Sequence, residues 1–384
     1  MVRRLGMTLA VVVGCLVVSA TPAIAATQVS VDCGAGASLQ AAINAAKPGT
    51  ILAISGTCHG AFTVGKNLVL KGVSAAVLDA QRSGTTLTVS AGKVRVTRMM
   101  ITGGDAYDIG GVRNTGTLTM IRDSVQGNLA DGGETGGIEN DGTLIMQRSV
   151  VAGNQSDDIG GIRNTGSATL DQSTVGPNGG SAITTTGSLT LTDSTVYRNH
   201  STYDGGIVNT GTLTVLRSTI ASNQAFNGGG AGISSYGTAT IDQSTIAFNE
   251  EDEGGAGIRN GGSMTVTDTI VVGNTHDSGE AGDCAGTITS GGYNLFGTPC
   301  DGAISTDQSG TFDNPLDAML KALGNYGGPT QTMVPRPGSP AVNAIPVGAP
   351  GAICPPSGTT DQRGIARPQS GACDIGSVER KPKE

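Results

Sequence analysis

The chain has 384 residues, 62 of them glycine, with no tryptophan and only 3% aromatic residues. Its 31 Asp and Glu residues outnumber 23 Lys and Arg residues, which gives a net charge of −8 at pH 7. This acidic balance argues against nucleic acid and anionic membranes as partners. Because the glycine is periodic, it indicates regular turns rather than disorder.

The first 25 residues have the pattern of a secretory signal peptide. Two arginines precede an apolar run over residues 5–18, and residues 23–25 form a small-residue cleavage site. We therefore predict a secreted protein, extracellular or associated with the cell surface, with no transmembrane segment in the mature chain. Lipid attachment at Cys15 is the alternative interpretation of this segment.

Residues 38–46 are predicted to form a short amphipathic helix. Leu39 and Ile43 share one face, Ser38 is the N-cap, and a Pro-Gly pair ends the helix. Because the end of a stack of repeats exposes bare strand edges, we expect this helix to cover the N-terminal end of the stack.

A sequence repeat follows, with its regular part over about residues 92–274. A turn glycine recurs, and an asparagine lies 12 residues after each one. From each asparagine to the next glycine the count runs 14, 12, 9, 12, 14 and 13, so the insertions fall in one arc of the repeat. Insertions confined to one side of a solenoid usually mark its binding side. The glycines are Gly116, Gly142, Gly166, Gly187, Gly211, Gly237 and Gly262, and the asparagines are Asn128, Asn154, Asn178, Asn199, Asn223, Asn249 and Asn274.

The constant arc has the period of β-strands. Apolar residues such as Leu118 and Met120 alternate with Thr, and the ninth position, which begins with Val125, is β-branched in every repeat. These columns predict three short strands per repeat and an all-β parallel β-helix over residues 26–277, with roughly nine to eleven coils stacked about 4.8 Å apart. The repeated asparagine is expected to form an internal amide ladder.

Six cysteines remain after Cys15 is removed, in three pairs that are local in the sequence. Three disulfides, Cys33 to Cys58, Cys284 to Cys300 and Cys354 to Cys373, are the simplest of the 15 pairings. The repeat fails near residue 276 and the composition shifts to Pro and Gly. Residues 278–384 are therefore predicted to be a separate, disulfide-stapled cap at the C-terminal end.

Two sets of motifs resemble known families. The repeated Gly-Gly-Ile and terminal Asn resemble the repeats of polymorphic outer-membrane-type proteins and other pectate-lyase-like right-handed parallel β-helices. The C-terminal region resembles the choice-of-anchor Q family, whose function is largely unknown. Its matching segments are Gly327-Gly328-Pro329-Thr330, Pro337-Gly338-Ser339-Pro340-Ala341, Asp361-Gln362-Arg363-Gly364 and Cys373-Asp374-Ile375-Gly376-Ser377-Val378-Glu379.

The variable arc is acidic, with carboxylates that stacked coils would bring close together. Calcium prefers such oxygen ligands, and Asp157 and Asp158 are the candidate pair. A solvated acidic rim is the alternative explanation, and no other cofactor is expected. The predicted ligand-binding residues on this side are Tyr107, Asp131, Glu134, Asp157, Tyr203, Asp204 and Phe226.

A second cluster lies on the strand before each turn glycine. Its outward positions are expected to align Arg113, Glu139 and Arg163, with Asp108 and Asp158 five residues before the two arginines. Lyase chemistry on a uronate needs a cation to neutralise the carboxylate and a base to take a proton, and these residues could supply both. A ladder of ion pairs between neighbouring coils explains the same pattern without a substrate.

These features together predict a secreted, monomeric β-helix surface or matrix protein that is non-catalytic. It would bind a glycan or another extracellular macromolecule through its variable loops. A lyase or glycoside hydrolase acting on an acidic polysaccharide is the alternative, by analogy of fold. Rows of hydroxyls at Thr117 and Thr119 and at equivalent positions resemble ice-binding β-helices, so ice binding is a remote third hypothesis.

Overall fold

The computed structural model describes residues 27–252, 255–276 and 282–382. The predicted signal peptide at 1–25 and the predicted domain boundary at residues 277 and 278 lie outside the described residues. The chain forms an all-β, right-handed parallel β-helix of about 11 coils, as the sequence predicts. Apolar columns on a repeat of this length can be buried only by stacking, which explains why the coils form together.

Two ladders of parallel strands, called A and B, carry most of the framework. They form one 22-stranded sheet, because the long strands Ile51–His59 and Leu68–Asp79 continue round the corner between them. Ladder A consists of Gln28–Asp32, Ile51–His59, Leu68–Asp79, Lys93–Thr97, Thr117–Ile121, Thr143–Gln147, Ser167–Asp171, Ser188–Thr192, Thr212–Leu216, Thr238–Asp242, Ser263–Thr267 and Thr289–Gly292. Ladder B consists of Met100–Thr102, Ser124–Gln126, Val150–Ala152, Thr174–Val175, Thr195–Tyr197, Thr219–Ala221, Thr245–Ala247, Ile270–Val272, Leu295–Phe296 and Gln308–Ser309.

Ladder C contains the third strand that the sequence predicts for each coil. A fourth ladder, D, was not predicted. Ladder D consists of two-residue strands that pair directly after the repeated asparagine, where its side chain holds the backbone in register. Ladder C consists of Phe62–Val64, Leu87–Val89, Val112–Asn114, Ile138–Asn140, Ile162–Asn164, Ile183–Thr185, Ile207–Asn209, Ile233–Ser235, Ile258–Asn260 and Cys284–Ala285. Ladder D consists of Asp105–Ala106, Leu129–Ala130 and Gln155–Ser156, then His200–Ser201, Gln224–Ala225, Glu250–Glu251 and Thr275–His276.

The predicted inward columns line a continuous apolar core. Leu118, Met120, Val125 and Ile138 are all fully buried, and each pairs in register with its equivalent in the next coil. Full burial of such a side chain contributes about 1.5–3 kcal/mol. Repetition of these columns therefore stabilises every coil through its neighbours.

The asparagine ladder is present and has buried polar companions. The Asn199 Nδ2 donates to the Asn223 Oδ1 over 2.9 Å, and the Asn223 Nδ2 donates to the Asn249 Oδ1 over 3.0 Å. Asn114, Asn140 and Asn164 form a second amide ladder, which the sequence analysis did not identify. A third ladder is formed by hydroxyl groups, each of which accepts a hydrogen bond from the backbone N–H of the preceding coil. Its members are Ser149, Ser173, Ser194, Ser218, Ser244 and Thr269.

The N-terminal end is covered as expected. Ser38 is the N-cap of helix α1 (Leu39–Ala45), and its Oγ accepts a hydrogen bond from the Ala41 N–H. Leu39 and Ile43 are buried in the same core as the first coils. A short 3-10 turn, Cys33–Ala35, precedes the helix.

The sequence predicts that the C-terminal region caps the end of the stack, but the region also covers one side of the last coils. Its first strands extend the coils, but the remainder lies along the outward face of ladder B over the last coils. Thr219 and Thr245 of that face are in hydrogen-bond contact with Ser377, at 3.1 Å each. Two antiparallel pairs complete this region, and they are Ile345–Pro346 with Ala372–Cys373 and Thr359–Thr360 with Ala366–Arg367.

The motif residues of the C-terminal region form a buried polar network. The Arg363 Nε donates to the Asp361 Oδ2 over 3.0 Å, and the Arg363 Nη2 donates to the Glu379 backbone oxygen over 2.7 Å. The Gln362 side chain accepts from the Thr219 Oγ1 over 2.7 Å. These contacts give the motif a structural role, which is to dock the region on the coils.

All three predicted disulfides are confirmed. They join Cys33 to Cys58, Cys284 to Cys300 and Cys354 to Cys373. None of the helices in the described ranges has the length and apolar character needed to span a membrane.

Candidate functional site

The charged cluster on ladder C has the predicted alignment. Glu139 pairs in register with Arg113 of the preceding coil and with Arg163 of the next one. The Arg163 Nη1 lies 3.8 Å from the Glu139 Oε1 and 3.5 Å from the Glu134 Oε2. The structure thus adds Glu134, which was predicted only as a binding-loop residue, to the group that contacts Arg163.

Glu139 is the chemically distinctive member of this cluster. Only 5% of the residue is exposed, and its Oε2 is buried without a hydrogen-bond partner among the described residues. Burial raises the pKa of the Glu139 carboxyl, and Asp141 raises it further, while Arg113 and Arg163 lower it. The cluster can therefore hold or release a proton beside a guanidinium.

Asp108 and Asp158 flank this cluster in different ways. Both side chains are exposed. Loss of hydration raises the pKa of Asp158, while Arg163 lowers it and Glu134 raises it. Asp158 is thus electrically coupled to the cluster through Arg163 and Glu134.

A notch interrupts the variable side of the helix. Nine residues separate Asn178 from Gly187, which is the shortest connection in the repeat. At this coil ladder D breaks into two parts, which are joined through Gly179 by isolated bridges to Gln155 and His200. The longer loops of the neighbouring coils stand on either side, and they flank an open cavity of about 410 Å³.

The notch has polar walls with aromatic groups beside it. Asp131 and Asp157 line one side, and His200 lines the other. The His200 ring meets the Phe226 ring edge to face, with 4.5 Å between centroids. Tyr203 follows the notch-lining Thr202 and has 63% of its surface exposed.

Other predicted loop residues have more varied surroundings. Tyr107 is 76% exposed, and its backbone oxygen accepts from the Gly132 N–H over 2.8 Å. The Asp204 carboxylate is engaged within the protein, since its Oδ1 accepts from the Gly230 N–H over 2.9 Å and from the Ser234 Oγ over 2.8 Å. Asp204 therefore holds the loop after Phe226 in place.

Sequence reasoning missed His200 and the notch itself. The available signal was the nine-residue spacing from Asn178 to Gly187, which marks the coil with the shortest loop on the variable side. Sequence alone does not show which residues of the adjacent loops face such a gap, because that depends on how each loop folds.

The predicted calcium pair lies on the rim of the same side. Asp157 and Asp158 are both exposed. Within residues 27–252, 255–276 and 282–382, no group of three or more His, Cys, Asp or Glu side chains is arranged to hold a metal ion. Calcium binding at this pair stays a prediction.

The hydroxyl rows on ladder A are more continuous than predicted. The first column runs in register through Thr117, Thr143, Ser167 and Ser188 without a break. The second column contains Ile145 between Thr119 and Thr169, as the sequence indicated. Ice binding by this surface stays a prediction.

Comparison with known proteins supports the architecture. No protein-family model matches the chain, and no curated protein matches it. A solved structure, the crystal structure of pectate lyase Pel9A, superimposes with a TM-score of 0.59 over 93% of this chain and 98% of that chain. The two sequences are 14% identical, so the likeness is one of fold.

Proposed function

We propose that this protein is a secreted, non-catalytic β-helix protein that binds a glycan in the notch at Gly179. The observation that supports this proposal is the cavity of about 410 Å³ at the shortest coil, between the longer loops of the neighbouring coils. A rigid stack of coils places these loops at fixed distances, so the notch is formed before a ligand arrives.

The chemistry of the notch is suited to a sugar. Its walls carry the carboxylates of Asp131 and Asp157, which accept hydrogen bonds from hydroxyl groups. Tyr203 directly follows the notch-lining Thr202, and its exposed ring offers an apolar face. Because the wall carboxylates repel anions, we assign a neutral oligosaccharide to this notch rather than an acidic one.

The test measures binding of neutral oligosaccharides to the purified mature protein, first on a glycan array and then by calorimetry. Tyr203→Ala should weaken binding about tenfold, since an aromatic contact contributes about 0.5–1.5 kcal/mol in addition to the contribution of its buried area. Asp157→Asn should weaken it as well, through loss of charge-assisted hydrogen bonds.

Phe312→Ala is the matched control, because Phe312 is also exposed, at 66%, and does not line the notch. It should bind as the wild type does. Absence of binding to every neutral glycan, or an equal loss in the control, would overturn the assignment. Parallel titrations with and without calcium test the proposed site at Asp157 and Asp158.

A second candidate function is cleavage of an acidic polysaccharide at ladder C. The observation that favours it is the buried, unpartnered Glu139 Oε2 beside Arg163. A polysaccharide-related role also fits the likeness of fold to a pectate lyase. The protein would then release unsaturated or reducing ends from a polyuronate. Arg163→Ala should abolish that turnover and leave the thermal transition nearly unchanged, and no product from the wild type would eliminate this candidate.

A further inference from the structure

A basic groove lies at the corner between ladders A and B, on residues that take no part in the notch. Its volume is about 510 Å³, and its cationic lining residues are Lys71, Arg98, Arg122 and Arg148. All four side chains are exposed. Such a concentration of positive charge is unexpected in a chain with a net charge of −8.

The backbone at this corner aligns the three arginines. Arg98, Arg122 and Arg148 occupy the same position in successive coils, and each adopts a left-handed conformation, with φ of 56°, 59° and 51°. Each also donates its backbone N–H to the following coil over 3.0–3.1 Å, to Ile121, Gln147 and Asp171 respectively. The coil spacing therefore places one arginine Cα about every 4.8 Å along the helix axis.

Arginine is a costly choice for this position. A left-handed conformation costs a residue with a side chain roughly 1–2 kcal/mol, and Asn or Asp accepts it more readily. Fold alone therefore gives no reason for three arginines in a row. Their shared property is a planar fork of donors that binds carboxylates in bidentate fashion.

The guanidinium groups are available to a ligand. Asp171 lines one end of the groove, but among the described residues no acidic side chain forms an ion pair with Arg98, Arg122 or Arg148. The Arg148 Nε donates to the Gln172 Oε1 over 2.7 Å, which orients that side chain without neutralising it. Four cations beside a single carboxylate create a net positive potential that attracts anions.

The same corner changes character in the later coils. Arg217 at the equivalent position is paired with Asp193, with its Nε 2.8 Å from the Asp193 Oδ1. Further along, Gln243 and Asp268 are bonded to the backbone of Ile353 in the C-terminal region. The basic groove is therefore open over the early coils and ends where the C-terminal region begins to cover the corner.

We propose that this groove binds a linear polyuronate, with one carboxylate on each arginine of consecutive coils. The coil spacing is close to the length of one pyranose residue, so a short stretch of chain can place successive carboxylates on successive guanidinium groups. Double-stranded DNA carries about one negative charge every 1.7 Å, which is denser than one carboxylate per coil, so the net negative charge of the protein opposes DNA more strongly than a polyuronate. This site is independent of the proposed notch, whose carboxylates call for a neutral sugar.

The experiment titrates the full mature protein with a tetra-uronate and, separately, with its carboxyl-reduced neutral form. The tetra-uronate should bind and the reduced form should not, and binding should weaken steeply as salt rises from about 50 mM to about 500 mM. Arg122→Asn should lower affinity about tenfold or more, as expected for loss of a hydrogen bond to a charged group. Asparagine suits the left-handed backbone there, so this variant should fold.

Arg336→Asn is the matched control, since it removes the same charge from an exposed arginine outside the groove. It should bind the tetra-uronate as the wild type does. Equal affinity of the wild type and Arg122→Asn, or an equal loss in the control, would overturn the proposal. Tighter binding of a single-stranded oligonucleotide of matched charge would also overturn it. Neutral glycan binding in the notch should be unaffected by Arg122→Asn, which separates the two sites.

Discussion

The asparagine ladder provides the sharpest test of how the coils are held together. In the middle of the ladder, Asn223 is fully buried. Its Oδ1 accepts from the Asn199 backbone N–H over 3.1 Å and from the Asn199 Nδ2 over 2.9 Å. Its Nδ2 donates to the Val196 oxygen over 3.2 Å and to the Asn249 Oδ1 over 3.0 Å. One amide therefore bonds to the coils on both sides.

Asn223→Ala would remove these bonds and leave their partners in a dry interior. The Asn249 Oδ1 would still accept from the residue 223 N–H, and the Asn199 Nδ2 would keep its bonds to Val175 and Tyr197. The Asn199 N–H would lose its side-chain acceptor, and the Val196 oxygen would lose a donor. At about 1–3 kcal/mol for each unsatisfied group, the expected loss of unfolding free energy is about 2–6 kcal/mol.

The assay is guanidinium unfolding followed by circular dichroism at several wavelengths. Thr212→Ala, at an exposed position of ladder A, is the control and should stay within about 0.5 kcal/mol of the wild type. A loss below about 1 kcal/mol for Asn223→Ala would refute the reasoning. It would mean that relaxation or water satisfies the exposed groups as well as the amide does.

Other predictions concern acid response, ion pairing and the C-terminal disulfide. Burial raises the pKa of Asp268 to about 7 and, with the charge of Asp374, that of Glu379 to about 7. A carboxyl group whose pKa is higher in the folded than in the unfolded state contributes stability that is fully present below the unfolded-state pKa and is lost as the pH rises through 7. The free energy of unfolding should therefore increase from about pH 8 to about pH 5 by about 2 kcal/mol per group. A lower Tm at pH 5 than at pH 8 would contradict this, and Asp268→Asn should flatten the profile. Arg217→Ala should cost about 1–3 kcal/mol in denaturant unfolding, because it leaves the buried Asp193 carboxylate without its partner, whereas Arg336→Ala should cost nothing measurable. Replacing Cys354 and Cys373 by alanine should cost about 2–4 kcal/mol and open the C-terminal region to limited proteolysis, and unchanged protease resistance would show that the polar network alone docks it.

The coils could be predicted because the same pattern of apolar and polar residues recurs in each of them. Each inward column, such as the one that contains Val125, appears once per coil, and a single error cannot shift the register of the whole. The amide ladder of Asn114 and Asn140 repeats in the same way, so it was also legible in the sequence. The cysteine pairs were local, which reduced the problem of their connectivity.

The docking of the C-terminal region could not be predicted with the same ease. Thr195, Thr219 and Thr245 resemble ordinary exposed strand residues, yet all three are buried beneath that region. The neighbouring outward column gives no signal, because Ala152 of an early coil is of the same type as the covered Ala221 and Ala247. Contacts between segments more than 130 residues apart leave no periodic trace.

The binding site is the least predictable part for a related reason. The nine-residue spacing marks the position of the notch, but the lining residues belong to loops of different lengths. The row of arginines at Arg98, Arg122 and Arg148 has the period of the coils and was visible in the sequence. Its significance depends on the corner between ladders A and B, which only the structure provides.

The most direct test of the account is to fill the notch without moving the coils. At Gly179 an added Cβ would lie 3.6 Å from the Gln155 Cγ, which is ordinary contact, so Gly179→Leu should fold and project into the cavity. Gly324→Leu, at a glycine with similar space and outside the notch, is the control. By calorimetry, Gly179→Leu should lose neutral glycan binding while the control retains it. Binding by Gly179→Leu that equals the wild type, with an unchanged Tm, would contradict the claim that this notch is the glycan site.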